Sequence, residues 1–406
     1  MKILVLDTIH GGEEIAGHFR SLGYATDTVD VYRGKGSISS EEALNRSYDL
    51  IISPVHLDPD HPLLNYSKAP VVSHHEAVRM LLLEMGKKPS LMIEVTGARG
   101  KTTTSYALAC VLGGIGVLHT SKGTFEIPEM NLIFKKSITP ASVIDAAIYA
   151  HDNKRWLVAE ESLGVSGLGD IGILTSNEDY PCALGKKSAI EEKMKLLKSC
   201  KSRIFSPGAG IKTFETDSIY SSDIAKVIGD ECRYSFKGFE GSFKNPLLLM
   251  TGYVQALITA AALACTIGIS PKRLESFRPL EGRLSYSSED GVVVVDNSNS
   301  GVNVMTSVEA ARFAREISGS DIITLVIGIE AANICEGFPA GMVSDAIKRI
   351  KPHIVVIVGD TLKDFVSEIA GDIRSYYADN LTEGKKTAIK AAAGFGSVVL
   401  CVKTWR

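Results

Sequence analysis

Apolar positions in this chain fall into short runs separated by longer amphipathic stretches, an alternation that starts with the first residues. Ile3 to Leu6 reads as a strand, Glu13 to Leu22 has helical spacing, and Thr28 to Val31 reads as a second strand. A strand at Leu50 to Ser53 follows, and Val71 and Val72 then precede a helix over Glu76 to Glu84 with Ser73 as its cap. Strands alternating with helices predict a small parallel α/β unit. Met85 to Ser90, which includes Gly86, Lys87, Lys88 and Pro89, reads as a junction.

The alternation resumes with a strand at Leu91 to Val95, a glycine loop and a helix over about Thr102 to Leu112. Strands are predicted at Trp156 to Ala159, Ile171 to Thr175 and Ser202 to Phe205, with helical connections at Ala141 to Tyr149 and Lys187 to Leu197. A third section begins near Gly282, where a helical run ending at Pro279 gives way to short polar segments. It carries strands at Val292 to Asp296, Ile323 to Gly328, Ile354 to Val358 and Ser397 to Val402, and a helix over Val304 to Ile317. The pattern predicts three α/β domains with mostly parallel sheets, at residues 1–88, 89–281 and 282–406.

Composition fits this reading and narrows it. A 45% hydrophobic and 22% charged chain of 406 residues can bury several cores. The net charge of −3 provides no global basic field, so no nucleic-acid partner is expected. Seven cysteines without C-x-x-C spacing argue against a disulfide framework or structural zinc and suit a reducing, cytoplasmic setting. Leu247 to Ile269 carries no charge over 23 residues, long enough to span a bilayer. Thr251, Gly252, Gln255, Thr259 and Thr266 interrupt it, which favours a buried helix preceded by a short apolar turn, so no membrane partner is expected.

The strongest chemical signal is Glu94-Val95-Thr96-Gly97-Ala98-Arg99-Gly100-Lys101-Thr102-Thr103-Thr104, placed between a strand and a helix. Glycines there let backbone approach phosphate, and the amides opening the helix satisfy its oxygens. The predicted nucleotide site is Gly97, Ala98, Arg99, Gly100, Lys101, Thr102 and Thr103, with Lys101 on the β and γ phosphates and the Thr102 hydroxyl on magnesium. Val95 stands where the ordinary motif starts with glycine, so the working core is the shorter Gly97-x-x-Gly100-Lys101-Thr102. Glu94 would repel triphosphate unless it points away or is held by Arg99 or magnesium. The loop by itself leaves an adenylate kinase-like transfer or a regulatory nucleotide switch open.

The segments that follow narrow the chemistry. Thr96 to Thr104, then Val158-Ala159-Glu160-Glu161-Ser162, then Ile173-Leu174-Thr175-Ser176-Asn177-Glu178-Asp179 resemble the ATP-dependent Mur ligase family, which includes murein peptide ligases and folylpolyglutamate synthases. The resemblance implies an N-terminal α/β substrate-binding domain, a central P-loop ATPase domain and a C-terminal Rossmann-like closing domain. It also implies activation of a carboxylate as an acyl phosphate by ATP with magnesium. The family's magnesium-binding glutamate maps onto Glu160, with Glu161 as the competing assignment. Asp179 holds a second metal or positioning place, although Tyr180 stands where the family often has histidine. Lys193 falls near a lysine that many members carbamoylate; a surface lysine in a mixed-charge helix is the plainer reading. Arg283, after Gly282, maps to the closing arginine at the phosphates, Gln255 to an adenine-contacting asparagine, and Asp296 to an acid near the ribose.

Asp296 to Gly301 lacks the histidine and proline that peptide-ligating members carry. Val5 to Gly12 and Val29 to Gly34 resemble an archaeal branch of the family that acts on a nickel tetrapyrrole, seco-F430 acid. That branch implies ATP-dependent ring closure, nickel carried by the macrocycle rather than by a protein site, and substrate contacts among Asp7, Thr8, His10, Gly11, Gly12, Tyr32 and Arg33. His10, His56, His61, His74 and His75 form no sequence constellation that marks a nickel site, and each reads as a loop, cap or surface histidine. A pseudomurein or other peptide or amide ligase is the alternative within the family. A nucleotide-controlled interaction protein is the alternative outside it.

Overall fold

The first strand, Lys2–Leu6, is almost wholly buried and lies inside a four-stranded parallel sheet. From edge to edge that sheet runs Ala25–Val29, Lys2–Leu6, Leu50–Ser53, Val71–Ser73. The computed structural model describes residues 1–34, 36–65, 68–209, 217–280, 284–299, 302–330 and 338–404. The chain divides into two compact units, Met1–Phe277 and Arg278–Arg406.

In the first unit, Ser73 caps the helix His74–Glu84 through a reciprocal box: its hydroxyl accepts the Glu76 amide at 3.1 Å and Glu76 accepts the Ser73 amide at 2.7 Å. Such a cap is worth about 1 kcal/mol. The helix buries Ala77, Val78, Leu81 and Leu82 in one core with Ala141, Ile144 and Ala147 of the helix Pro140–Asp152. The section read as 1–88 thus keeps its own sheet and shares its core with the chain that follows.

The larger sheet of this unit is ordered Ser218–Tyr220, Ser202–Phe205, Ile171–Leu174, Met92–Thr96, Trp156–Glu160, Gly116–Thr120, Gly123–Ile127, Asn131–Phe134. The first six strands are parallel. The last two turn back antiparallel and were not read from the sequence, because Gly123–Ile127 mixes polar with apolar residues and the Leu132 to Phe134 run is short and partly exposed. A separate antiparallel sheet of Ala225–Ile228, Glu231–Phe236 and Phe239–Lys244 escaped reading for the same reason.

The uncharged Leu247 to Ile269 stretch is a 3-10 turn, Pro246–Leu249, followed by the helix Thr251–Thr266. That helix packs its small side chains Ala256, Ala260 and Ala264 in the interior beside the helix Lys101–Leu112. It stops at Thr266, well before Pro279, with Gly268 at φ +79° just beyond. No described helix is long and apolar enough to cross a membrane.

The second unit is a six-stranded sheet ordered Ser285–Glu289, Val292–Asp296, Ser397–Lys403, Ile323–Ile329, Ile354–Val358, Arg374–Ala378, parallel except at its first pair. Val294, Val326, Val356, Val398 and Leu400 fill its core. The helix Leu381–Ala392 carries Gly384 in its interior, where a Cβ would come within 2.9 Å of Val326 and Val358. The glycine lets helix and sheet approach closely.

Candidate active site

Three neighbouring parallel strands of the first unit end level with one another. Val95 pairs with Glu160 and Thr96 with Leu174, so Met92–Thr96, Trp156–Glu160 and Ile171–Leu174 present their carboxyl ends together. This is the edge where parallel α/β sheets hold ligands. The glycine loop leaves the middle strand. Gly97 has φ +145°, and a Cβ there would lie 2.2 Å from Thr175 Oγ1. Gly100, at φ +82°, turns the chain into the helix Lys101–Leu112. Ser176 Oγ accepts the amides of Ala98 at 2.9 Å and Arg99 at 3.0 Å, which pins the loop to the neighbouring strand end. Lys101 Nζ folds back to donate to the Gly97 carbonyl at 3.1 Å.

The first helical turn brings two oxygen donors together. Thr102 Oγ1 donates to Glu160 Oε1 at 3.0 Å, while Glu160 Oε2 accepts the Ser121 amide at 3.2 Å. Thr102, Thr103 and Glu160 are all buried. A hydroxyl and a carboxylate this close suit a hard divalent cation, so the residues fit magnesium beside a nucleotide phosphate. Ser121 and Ser176, not assigned from the sequence, complete the support; both are short hydroxyl residues at strand ends, a weak signal in a sequence.

The two other acids beside the loop point elsewhere. Glu94 is buried and accepts the amides of Gly167 at 3.1 Å and Gly169 at 2.8 Å as well as the Ser166 hydroxyl. Arg99 pairs with Glu178 instead. Glu161 is fully buried near Glu94, and neither of its oxygens has a hydrogen-bond partner among the described residues. Burial and the Glu94 charge push its carboxyl well above the usual range, which favours the protonated form.

Lys193 is not on the surface. The helix Ala189–Leu197 turns it into the interior with no exposure, its Nζ 4.5 Å from the centre of the Tyr180 ring and 3.4 Å from the Tyr180 hydroxyl. Burial, reinforced by the charge of Lys101, pulls its ammonium below the usual lysine range. Asp179 is exposed and accepts the Ile190 amide at 3.0 Å, which ties it to the start of the same helix. The Gln255 amide donates to the Pro207 carbonyl at 3.3 Å. In the second unit, Asp296 ends its strand and accepts the Ser298 amide at 2.8 Å. Gly282, Arg283, Ser300 and Gly301 lie outside the described residues.

The N-terminal candidates gather at the carboxyl edge of the small sheet. Asp30 accepts the Thr8 hydroxyl at 3.2 Å and the amides of Tyr32 at 2.9 Å and Arg33 at 2.8 Å, joining the two segments. Asp7 is buried at φ 69°, contacts His10 Nδ1 and lies 3.6 Å from His56 Nε2. Burial alone would raise its carboxyl, but the His56 ring beside it, the contact with His10 and the Ile9 amide bring it down to about 2. Gly12 sits where a Cβ would meet the Asp7 carbonyl at 1.9 Å, and Gly11 where one would meet Ala141 Cβ at 2.5 Å. A cleft beside them is lined by His10, His56, His74, His75, Ser162 and Leu163. His75 Nε2 bonds the Ser162 carbonyl at 2.9 Å, linking this wall to the loop after Glu160 and Glu161. Burial holds His74 and His75 down to about 4, so both are neutral at pH 7.

Residues 286–404 match the family model described as coenzyme F430 synthetase CfbE, C-terminal domain. The chain is 28% identical to the coenzyme F(430) synthetase of Methanosarcina acetivorans, over 100% of its own length and 99% of that protein. It is 26% identical to the UDP-N-acetylmuramoylalanine–D-glutamate ligase of Pseudothermotoga lettingae, over 82% of this chain and 74% of that protein. Among solved structures it resembles a UDP-N-acetylmuramoyl-L-alanyl-D-glutamate–2,6-diaminopimelate ligase with a TM-score of 0.57 at 14% identity, covering 88% of this chain and 87% of the other.

Proposed function

Because the chain belongs to the Mur ligase superfamily, we propose that this ATP-dependent ligase activates a propionate carboxylate of seco-F430 acid, a nickel tetrapyrrole, and closes a carbocyclic ring within the same molecule. The observation that carries the reading is the Thr102–Glu160 pair at the mouth of the glycine loop, in a chain aligned end to end with a coenzyme F(430) synthetase. Magnesium held by Thr102 and Glu160 would draw charge from the γ phosphate as it is transferred.

Lys101 leaves the Gly97 carbonyl to hold the transferring phosphoryl oxygens, while the amides at the start of the helix Lys101–Leu112 bind those that remain. The substrate carboxylate oxygen attacks the γ phosphorus, ADP leaves, and a carbon of the same macrocycle gives up its proton to solvent and displaces phosphate from the acyl carbon. Holding both reacting groups in one bound molecule removes the entropy cost of a second encounter. Lys193, buried with a lowered ammonium pKa, is the lysine whose carbamate would add a further oxygen ligand, and Asp179 positions its helix. Gln255 toward the base, Asp296 toward the ribose and Arg283 toward the phosphates complete the ATP assignments of this reading. Asp7 to Gly12, with Tyr32 and Arg33, form the substrate side.

The test is product mass. Chain, acid, ATP and magnesium should yield a product lighter by one water, with one ADP and one phosphate per ring and no amine consumed. Incorporation of an amine without ring closure would transfer the reading to a peptide or amide ligase.

A further inference from the structure

The histidines that carry no signature in the sequence converge in the fold. His10 leaves the end of the strand Lys2–Leu6 and His56 follows the strand Leu50–Ser53, two adjacent parallel strands whose carboxyl ends face the same way. Asp7 lies between them, and one carboxylate oxygen and two imidazole nitrogens of the three residues all fall within 4.8 Å of one another. We propose that Asp7, His10 and His56 bind one divalent transition-metal ion of the zinc, cobalt or nickel type, at a protein site distinct from the Thr102–Glu160 pair.

The donor set selects the class of ion. Two imidazoles and one carboxylate suit a borderline transition ion, whereas magnesium takes oxygen ligands. His56 Nε2 is buried and has no hydrogen-bond partner among the described residues. Its 3.6 Å separation from Asp7 Oδ2 is beyond a hydrogen bond. It is close to the spacing of about 3 to 3.5 Å between two ligands that each sit about 2.1 Å from a shared ion.

Asp7 is built for the role. Its Oδ1 accepts the Ile9 amide at 3.0 Å, which leaves Oδ2 directed at both rings. A buried aspartate at φ 69° carries backbone strain of the kind found where a side chain must be aimed. Tyr32 stacks on His56 at 5.9 Å and meets His10 edge-on at 6.1 Å, limiting the motion of both rings. A second group of donors, Glu14, His18 and Asp145, is already neutralised by Lys136, whose ammonium pairs with both carboxylates. Three protein ligands leave coordination positions open to solvent or to an oxygen ligand in the adjoining cleft.

The test uses the full chain without a purification tag, stripped with a chelator and titrated with cobalt(II) alone. The expected result is one ion per chain, visible-range absorption of protein-bound cobalt, and displacement by zinc but not by millimolar magnesium. His10→Ala and His56→Ala should each weaken binding by at least about a hundredfold, and His61→Ala, outside the cluster, should leave it unchanged. Both ligand histidines are partly exposed, so circular dichroism should register an intact fold; His10→Gln and His56→Gln repeat the test with larger side chains. No stoichiometric cobalt binding, displacement by magnesium, or equal affinity in the histidine variants would overturn the proposal.

Discussion

Glu160 and Glu161 are neighbours in sequence with opposite surroundings, so the same substitution at each should have opposite consequences. Glu160→Gln keeps an oxygen that can accept the Thr102 hydroxyl at 3.0 Å, but loses the charge a magnesium ligand requires. Exchanging a charged acceptor for a neutral one costs stability about 1 kcal/mol. Removing one preorganised electrostatic group from a phosphoryl-transfer site costs rate about 10² to 10³, or roughly 3 to 4 kcal/mol. Glu161→Gln replaces a carboxyl whose burial favours the neutral form and which does not meet the Thr102 hydroxyl, and should hold the rate within about threefold, under 1 kcal/mol. The assay is acid-dependent ADP release across a magnesium series, with hydroxylamine trapping of the acyl phosphate. Equal losses in both variants, or a greater loss in Glu161→Gln, would refute the assignment of the metal ligand to Glu160.

Gly97→Ala would place a Cβ 2.2 Å from Thr175 Oγ1 at φ +145°, so the loop must shift; nucleotide affinity, followed with a fluorescent ATP analogue, should fall at least about tenfold, and unchanged affinity would contradict the loop geometry. Lys193→Met removes a buried ammonium near Lys101 and should leave urea stability within about 1 kcal/mol while abolishing most ligase turnover; a loss of stability with normal turnover would make Lys193 a structural residue only. As pH rises past the ordinary carboxyl value of 4.5, the unfolded chain releases the Glu161 proton while the folded chain keeps it. The stability this site contributes is therefore complete in acid and is lost as pH rises through the raised folded value. Urea midpoints for Glu161→Gln should vary less with pH across that window, and identical pH profiles would rule out the protonated acid.

Strand positions were legible where a buried strand is also a near-continuous apolar run; Gly116–Thr120, buried throughout but carrying His119 and Thr120, was not read. Val292–Asp296 and Ile354–Val358 are near-continuous apolar runs and fall where the pattern put them. Arg374–Ala378 lies at a sheet edge with polar, half-exposed residues, and Asn131–Phe134 at another edge with an apolar run of only three residues, too short to separate it from loop. The glycine loop was legible because its chemistry is local, requiring glycines and a lysine within a few residues of one strand end. The direction of Glu94 was not, since it depends on the Gly167 and Gly169 amides more than 70 residues away. The burial of Lys193 was hidden by the mixed charge of its helix. The histidine cluster was hidden because its members come from the ends of two different strands.

The central claim is that a carboxylate oxygen of the acid passes to phosphate. The most direct measurement supplies seco-F430 acid with heavy oxygen in its propionate carboxylates and analyses the inorganic phosphate by mass spectrometry. Acyl phosphate activation predicts one heavy oxygen in each phosphate released per ring closed, with ADP as the nucleotide product. Unlabelled phosphate, or heavy oxygen appearing in AMP, would contradict it.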